Sequence, residues 1–376
     1  MKRIVLLYPK AIGDFMFVLP ALHTLRRAWP EAHITLVVKQ KQAPLAVPQA
    51  GGLVDTVQVL GRDNSWRNIR RLIKDTAPDC IADLAGNDQT GLLLTSQPGQ
   101  RRRPHRRDCK GWAALYTPWA TPFDRLPRGL HRVTELLTWV QQLGGGEPVY
   151  SFKLVLPDEA RAAGEEMVAR YDLRSGPVIA LNIGASRNTK RWPATFFREL
   201  ARQLVAHGCR VVFMGARTFA ADQHYDRRCM EQWVAEGLID GQHFINLVTD
   251  HTCAPALQLQ RDAWFLRYSG IPQVTVGNDT GPLHMAGSVG EDARNKTVSL
   301  FGPTNWRRYA PYDPTRTSPD QPHGQWNRVL LFNPDCGPAP TQEACTCYRR
   351  GDKHKTCAVT LDPDTVCQQV LASSRA

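Results

Sequence analysis

An alternation of short apolar runs with amphipathic stretches constrains the fold most, and it occurs twice along the chain. Strands are predicted in the first half at residues 3–8, 34–38, 54–60 and 80–84, and helices at residues 22–29 and 66–75. Strands that alternate with helices are typical of βαβ units, in which neighbouring strands run parallel. The first half therefore predicts an open, parallel α/β sheet.

The same alternation restarts after a glycine- and proline-rich break at residues 144–148, a helix predicted at 158–171 and a turn at 175–177. The second half predicts strands at residues 178–182, 210–214, 274–276 and 297–301, and a helix at 193–207. Residues 312–328 contain several prolines and are predicted to form a loop. A chain of 376 residues also suits two domains of ordinary size.

The formal net charge of +12 favours anionic partners such as nucleic acid, acidic lipid headgroups or phosphorylated glycans, without choosing among them. The densest basic run, Arg101–Arg107, is either a solvated loop or a contact for such a partner. No apolar stretch reaches the roughly 18–20 residues needed to cross a bilayer, and the first strand does not resemble a signal peptide. These features predict a soluble cytoplasmic protein.

Three glycine-containing segments follow predicted strands, where open α/β sheets bind their ligands. In the first segment, Gly13 permits a tight turn and Asp14 lies at the start of the next helix. Asp14 either caps that helix or serves as a general base toward a bound hydroxyl. A helix N-terminus favours the ionised form of a carboxyl group in both cases.

The second segment, residues 182–193, combines small and hydroxyl residues, including Ser186, with Lys190 before a helix. Backbone N–H groups in such a turn can hold phosphate, and a lysine can neutralise it. The spacing is not that of a Walker-type loop, so the segment does not indicate ATP hydrolysis.

The third segment places Asp279, Thr280 and Gly281 in a polar turn before a proline that suits the first helical position. His284 falls on the first turn of the predicted helix. This histidine is either a structural residue or part of an anion-binding site beside the turn.

Together these segments resemble the ADP-heptose–lipopolysaccharide heptosyltransferases, which form glycosyltransferase family 9. The resemblance rests on four motifs in order, namely Gly13-Asp14 with Leu19-Pro-Ala-Leu22, Lys190-Arg-Trp-Pro193, Asp279-Thr-Gly-Pro-Leu-His284 and Phe301-Gly-Pro-Thr304. It implies an α/β fold of the GT-B type, with two Rossmann-like domains facing a cleft. Residues 1–157 would form the acceptor-side domain and 175–350 the nucleotide-sugar domain. The tail, 351–376, would end in a helix that returns to the first domain.

The resemblance also implies inverting transfer of a heptosyl group from ADP-heptose to a lipopolysaccharide inner-core acceptor, with no cofactor required. Asp14 would be the general base, and Lys190 with the Thr280–Gly281 turn would hold the diphosphate. The remaining contacts to the nucleotide sugar would come from Gly13, Ser186, Asp279 and His284.

Two features concern the partners of this reaction. The family often has a glutamate after a Gly-Ala turn, whereas Arg217 follows Gly215-Ala216 here and the nearest acid is Asp222. Asp222 is therefore the candidate for the nucleotide ribose. Arg101, Arg102 and Arg103 would suit a phosphorylated glycolipid acceptor, with peripheral contact at the cytoplasmic face of the inner membrane.

The cysteines cluster near the end of the chain, at Cys336, Cys345, Cys347 and Cys357. Their spacing is not that of the Cys-x₂-Cys pairs in zinc ribbons, so structural zinc or iron, a disulfide and free thiols all stay open. Cys367 falls in the predicted final helix and is expected to pack in the core.

Other functions also fit parts of the pattern. The chain could transfer another nucleotide-linked sugar, use a protein acceptor, or bind a nucleotide sugar without turnover. Charge alone suggests nucleic-acid binding, but the sequence contains no recognisable nucleic-acid module. We therefore expect no nucleic-acid partner.

Overall fold

Two six-stranded sheets, each with all its strands parallel, form the framework of the computed structural model. The chain divides into two units, Met1–Val155 and Leu156–Ala376, with one sheet in each. The structure describes residues 2–61, 66–87, 90, 94, 100–103, 120–127, 129–215, 224–250, 252–318, 320–332 and 356–375.

The first unit has the strand order β3-β2-β1-β4-β5-β6. Its strands are β1 (Arg3–Leu7), β2 (His33–Lys39), β3 (Thr56–Leu60), β4 (Cys80–Asp83), β5 (Gln100–Arg103) and β6 (Thr121–Pro122). Its helices are α1 (Ile12–Ala28), α2 (Ala43–Ala46), α3 (Trp66–Asp75) and α4 (Arg132–Gln142). Strand β1 pairs with β2 and β4, and this central position explains why Ile4–Leu7 form an uninterrupted apolar run.

The second unit has the strand order β12-β11-β10-β7-β8-β9. Its strands are β7 (Val178–Asn182), β8 (Arg210–Met214), β9 (Phe244–Asn246), β10 (Pro272–Asn278), β11 (Lys296–Phe301) and β12 (Asn327–Leu331). Its helices are α5 (Asp158–Arg170), α6 (Ala194–Ala206), α7 (His224–Ala235), α8 (Pro255–Arg267), α9 (Gly281–Gly287), α10 (Trp306–Tyr309) and α11 (Pro363–Arg375). Because β7 pairs with β8 on one side and β10 on the other, the strand order reverses at β7, where such sheets bind ligands.

The eight strands predicted from the apolar runs are confirmed, with small shifts at their ends. Helix α1 begins at Ile12, two residues before the predicted start at Asp14, and it includes most of the helical residues predicted at 22–29. Strands β5, β6, β9 and β12 were not predicted. They lie toward the margins of the sheets, where burial imposes a weaker apolar pattern.

The described part of the basic run Arg101–Arg107 differs from the solvated loop that was one of its two interpretations. Arg101–Arg103 form most of β5, parallel to β4, and are therefore not a solvated loop. Arg103 is only 2% exposed, and the Arg102 guanidinium lies 5.1 Å from the ring centroid of Phe123. Long arginine side chains can cover apolar surface in this way while they occupy a strand. Residues 104–107 lie outside the described part of the chain.

The final helix, α11, was expected to return to the first domain. Within the second unit it contacts α6, β10 and β11. Its return to the first domain stays a prediction. Val366, Cys367 and Val370 enter the core of that unit, and the Trp192 indole donates to the Leu361 carbonyl at 2.7 Å just before the helix. Burial of these apolar side chains holds the helix there. No described helix is both long and apolar enough to span a membrane.

Candidate active site

An ion pair between a partly buried lysine and a buried aspartate lies at the carboxyl edge of the second sheet. Lys190 stands on a 3-10 turn, Asn188–Lys190, after β7, and Asp279 directly follows β10. Lys190 Nζ lies 2.6 Å from Asp279 Oδ2, and their side chains are 16% and 6% exposed. A charge pair with so little solvent around it is screened far less than a surface pair. The structure thus brings together the second and third glycine-containing segments.

The second oxygen of the same carboxylate contacts His284. His284 Nε2 lies 3.2 Å from Asp279 Oδ1, and the imidazole is buried on the first turn of α9. Asp279 therefore joins a cation from one loop to an imidazole from a helix. Burial by itself raises the pKa of Asp279, but the Lys190 charge and the His284 hydrogen bond hold that pKa well below its usual range.

This shift has a consequence for stability in acid. The folded-state pKa of Asp279 is below the usual value of 3.8, so its contribution is present above about pH 4 and is lost as the pH falls toward the folded pKa. We expect Asp279→Asn to flatten the pH dependence of the unfolding free energy below about pH 4. Urea unfolding monitored at successive pH values checks this. An unfolding free energy that falls below about pH 4 as steeply as that of the wild type would contradict this expectation.

Thr280 is fixed between two strands. Its hydroxyl accepts a hydrogen bond from Asn182 Nδ2 at the end of β7 and donates to the Asn278 carbonyl at 3.1 Å. Helix α9, which begins at Gly281, has only seven residues. A helix this short has a small dipole, so the main positive charge near the turn is that of Lys190.

The loop that carries Lys190 packs against α7. Arg191 Nε donates to the Ala185 carbonyl at 2.9 Å, and its guanidinium lies 4.4 Å from the ring centroid of Tyr225. Ser186, the predicted hydroxyl contact, is exposed on the same loop. These two contacts of Arg191 fix the backbone of the loop on which Ser186 and Lys190 lie.

In the first unit, Asp14 is the third residue of α1 and not its N-cap. The N-cap is Ala11, whose backbone N–H donates to Asp14 Oδ2 at 3.1 Å. Among the described residues, no hydrogen bond to the other oxygen, Oδ1, is present. Asp14 is only partly buried, so one oxygen can support the helix start while the other accepts a proton. Both hypotheses for Asp14 are compatible with this geometry.

A second carboxyl group at this sheet edge was not predicted. Asp83 ends β4, is 2% exposed, and accepts hydrogen bonds from Ala85 N, Gly86 N and the Thr90 hydroxyl. Burial raises the pKa of Asp83, and the three donors oppose that effect. These bonds hold the turn after β4, so Asp83 supports the edge near the β1–α1 loop.

Sequence reasoning also missed two buried groups in the second unit. Asn278 ends β10 with no exposed surface, and Asp226 of α7 lies against two glycines. A Cβ atom on Gly184 or Gly215 would lie 2.1 or 2.6 Å from Asp226 Oδ2, so a larger residue at either position would have to displace that carboxylate. The available signal for Asn278 was its position at the end of a strand, directly before the Asp279 turn. The predicted Asp222 lies outside the described residues.

Three arginines were proposed to contact the acceptor, and their surroundings differ. Arg101 and Arg102 are partly exposed, whereas Arg103 is buried at the end of β5. Successive side chains of a strand point to opposite faces, so Arg102 faces away from its two neighbours. Of these three arginines, Arg101 and Arg102 are thus the ones whose surfaces solvent reaches.

Most of the cysteine cluster cannot be described. Cys336, Cys345 and Cys347 lie outside the described residues, as does the side chain of Cys357. In the part of the chain that is described, no group of three His, Cys, Asp or Glu side chains could hold a metal ion. Cys367 is 4% exposed in the core, where it was expected to pack.

Comparison with solved structures identifies the fold. The glycosyltransferase of family 9 from Veillonella parvula DSM 2008 has a TM-score of 0.73 at 20% identity, covering 100% of this chain and 97% of that one. E. coli ADP-heptose LPS heptosyltransferase II has a TM-score of 0.68 at 18% identity, covering 100% of this chain and 99% of that one. E. coli heptosyltransferase WaaC with ADP has a TM-score of 0.62 at 16% identity, covering 99% of this chain and 98% of that one. The predicted α/β fold of the GT-B type is confirmed.

The family model for glycosyltransferase family 9 (heptosyltransferase) matches residues 66–321, which include the Lys190 and Asp279 segments. No curated protein gave a match. The chain belongs to glycosyltransferase family 9, as the motifs indicated, and it is a glycosyltransferase.

Proposed function

We propose that the chain transfers a heptosyl group from ADP-heptose to an inner-core acceptor of lipopolysaccharide, with inversion at the anomeric carbon. The Lys190–Asp279–His284 cluster at the carboxyl edge of the second sheet is the observation that carries the proposal. The family model supports heptosyl transfer, and E. coli heptosyltransferase WaaC, which shares this fold, has been solved with ADP and with ADP-2-deoxy-2-fluoro heptose. Residues 175–350 would accordingly bind the donor.

Transfer requires two changes of charge. The acceptor hydroxyl loses its proton as its oxygen bonds to the anomeric carbon, and Asp14 is the proposed general base. The bond from that carbon to the diphosphate breaks, so ADP leaves with additional negative charge. A preorganised cation stabilises such charge efficiently where water is scarce, and Lys190 is proposed for this role together with the Thr280–Gly281 turn. With this cation in place, the proposed step needs no metal ion.

Contacts elsewhere in the donor and acceptor sites are assigned by motif. Gly13, which directly precedes Asp14 in the first turn of α1, would contact the nucleotide sugar together with Ser186, Asp279 and His284, which would hold or orient it. In residues 1–157, the exposed parts of Arg101 and Arg102 would attract the phosphates of an anionic glycolipid. The excess positive charge would favour peripheral contact with the cytoplasmic face of the inner membrane.

A thermal-shift panel of ADP, UDP, GDP and dTDP tests the donor class. We expect ADP to raise the melting temperature most, since a ligand at about 100 times its Kd adds ~2.7 kcal/mol of stability. A larger shift with another nucleotide would overturn the ADP-heptose assignment. Assays with ADP-heptose and either glycolipid or protein acceptors then separate the acceptor classes. Binding of ADP-heptose without transfer to any acceptor would instead support a scaffold.

A further inference from the structure

The side-chain amide of Asn278 joins both ends of the loop that carries Lys190. Asn278 Nδ2 donates to the carbonyls of Ile183 and Gly184 at 3.1 and 3.2 Å, where the loop leaves β7. Asn278 Oδ1 accepts from the Trp192 N–H at 2.9 Å, where the loop ends before α6. One fully buried amide thus closes the loop 183–192 from its first residue to its last.

The turn inside this loop is also held from another strand. A Cβ atom on Gly302, directly after β11, would lie 2.9 Å from the Thr189 carbonyl oxygen, so the two backbones are in close contact. Trp192, the last residue of the loop, is fully buried. The Lys190 backbone therefore has little freedom as long as the loop remains closed.

We infer that Asn278 is a positioning residue for sugar transfer, because its amide fixes the loop that brings the Lys190 ammonium to Asp279. This inference rests on the proposed role of Lys190 at the diphosphate. Asparagine suits the position because its amide supplies two N–H donors and an acceptor in one plane. A displacement of Lys190 by a fraction of an ångström would weaken its contact with a departing phosphate, since catalysis depends on such geometry.

The substitution Asn278→Asp tests the inference with almost no change in shape. The carboxylate still accepts from Trp192 N but cannot donate to Ile183 and Gly184. We expect the Kd for ADP to rise by about 10- to 100-fold, with a matching fall in kcat/KM for the donor. The KM for the acceptor should change by less than about twofold.

The pH dependence gives a readout that a loss of general stability would not produce. Burial raises the pKa of a carboxyl group, and a protonated aspartic acid regains one O–H donor. We therefore expect the ratio of the ADP Kd of Asn278→Asp to that of the wild type to fall between pH 8 and about pH 6. Measuring ADP binding alone removes any effect of the proposed base, Asp14.

Asn327 provides the matched control. It is equally buried, but it begins β12 at the opposite edge of the same sheet, where its amide donates to the Gly287 carbonyl at 2.8 Å. Asn327→Asp should lower the melting temperature comparably while the Kd for ADP stays within about twofold of the wild type. An equal loss of ADP binding in Asn327→Asp would show a merely structural role for both residues and overturn the inference.

The remaining outcomes separate this inference from the proposed function. If Lys190→Met weakens ADP binding and folded Asn278→Asp does not, the inference fails alone. If Lys190→Met leaves ADP binding unchanged, the proposed role of Lys190 fails. Should Asn278→Asp not fold, Asn278→Ser serves instead, because its single hydroxyl reaches only one end of the loop. Wild-type ADP affinity in Asn278→Ser would likewise overturn the inference.

Discussion

Replacing Asp14 with asparagine should lower kcat by about 10³-fold while ADP affinity remains within about twofold of the wild type. The amide oxygen of asparagine can still accept from the Ala11 N–H, so the start of α1 is retained. Its basicity is lost, so the acceptor hydroxyl has no base at this position. Steady-state kinetics with ADP-heptose and a core acceptor, together with an ADP binding assay, measure both quantities.

Asp79→Asn is the matched control for this variant. Asp79 lies at the amino edge of the same sheet and accepts from Lys2 N and Arg3 N at 2.6 and 2.9 Å. Its neutral replacement should leave kcat unchanged, since the reaction is assigned to the opposite edge. Full activity of Asp14→Asn would show that Asp14 serves only the helix start.

Lys190→Met is expected to lower kcat/KM for the donor by about 10²- to 10³-fold, the range seen when one preorganised charge-stabilising donor is removed. Methionine retains most of the aliphatic side chain but removes the ammonium group. The Asp279 carboxylate, which is 6% exposed, then faces the diphosphate without its neutralising partner. ADP affinity should fall as well, because the negative Asp279 carboxylate would then repel the negative diphosphate.

A double variant separates the effect on folding from the effect on transfer. Removing one partner of a buried pair leaves an uncompensated charge, which is strongly destabilising. Asp279→Asn added to Lys190→Met should therefore recover part of the melting temperature without recovering transfer. Lys296→Met, at the amino end of β11, is the control and should keep full activity. Recovery of transfer in the double variant would contradict the role assigned to Lys190.

The sequence by itself determined eight of the twelve strands that the structure describes in the two sheets. Ile4–Leu7 of β1 and Val178–Leu181 of β7 are apolar without interruption because parallel strands are covered on both faces. This signal is local and can be read from a single sequence. It also placed Asp14, Lys190 and Asp279 at strand ends, because glycine-containing turns after apolar runs mark those ends. The motif order was sufficient to indicate the family, which the family model then showed.

Only the tertiary structure decided which of these side chains meet. Lys190 and Asp279 are 89 residues apart, and they pair because β7 and β10 are neighbours in the sheet. The same adjacency places Asn278 across both ends of the Lys190 loop. The strand status of Arg101–Arg103 and the packing of α11 in the second unit likewise depend on long-range burial. Periodicity records whether a residue faces a core, whereas the partner of a polar side chain depends on strand order, which no local pattern specifies.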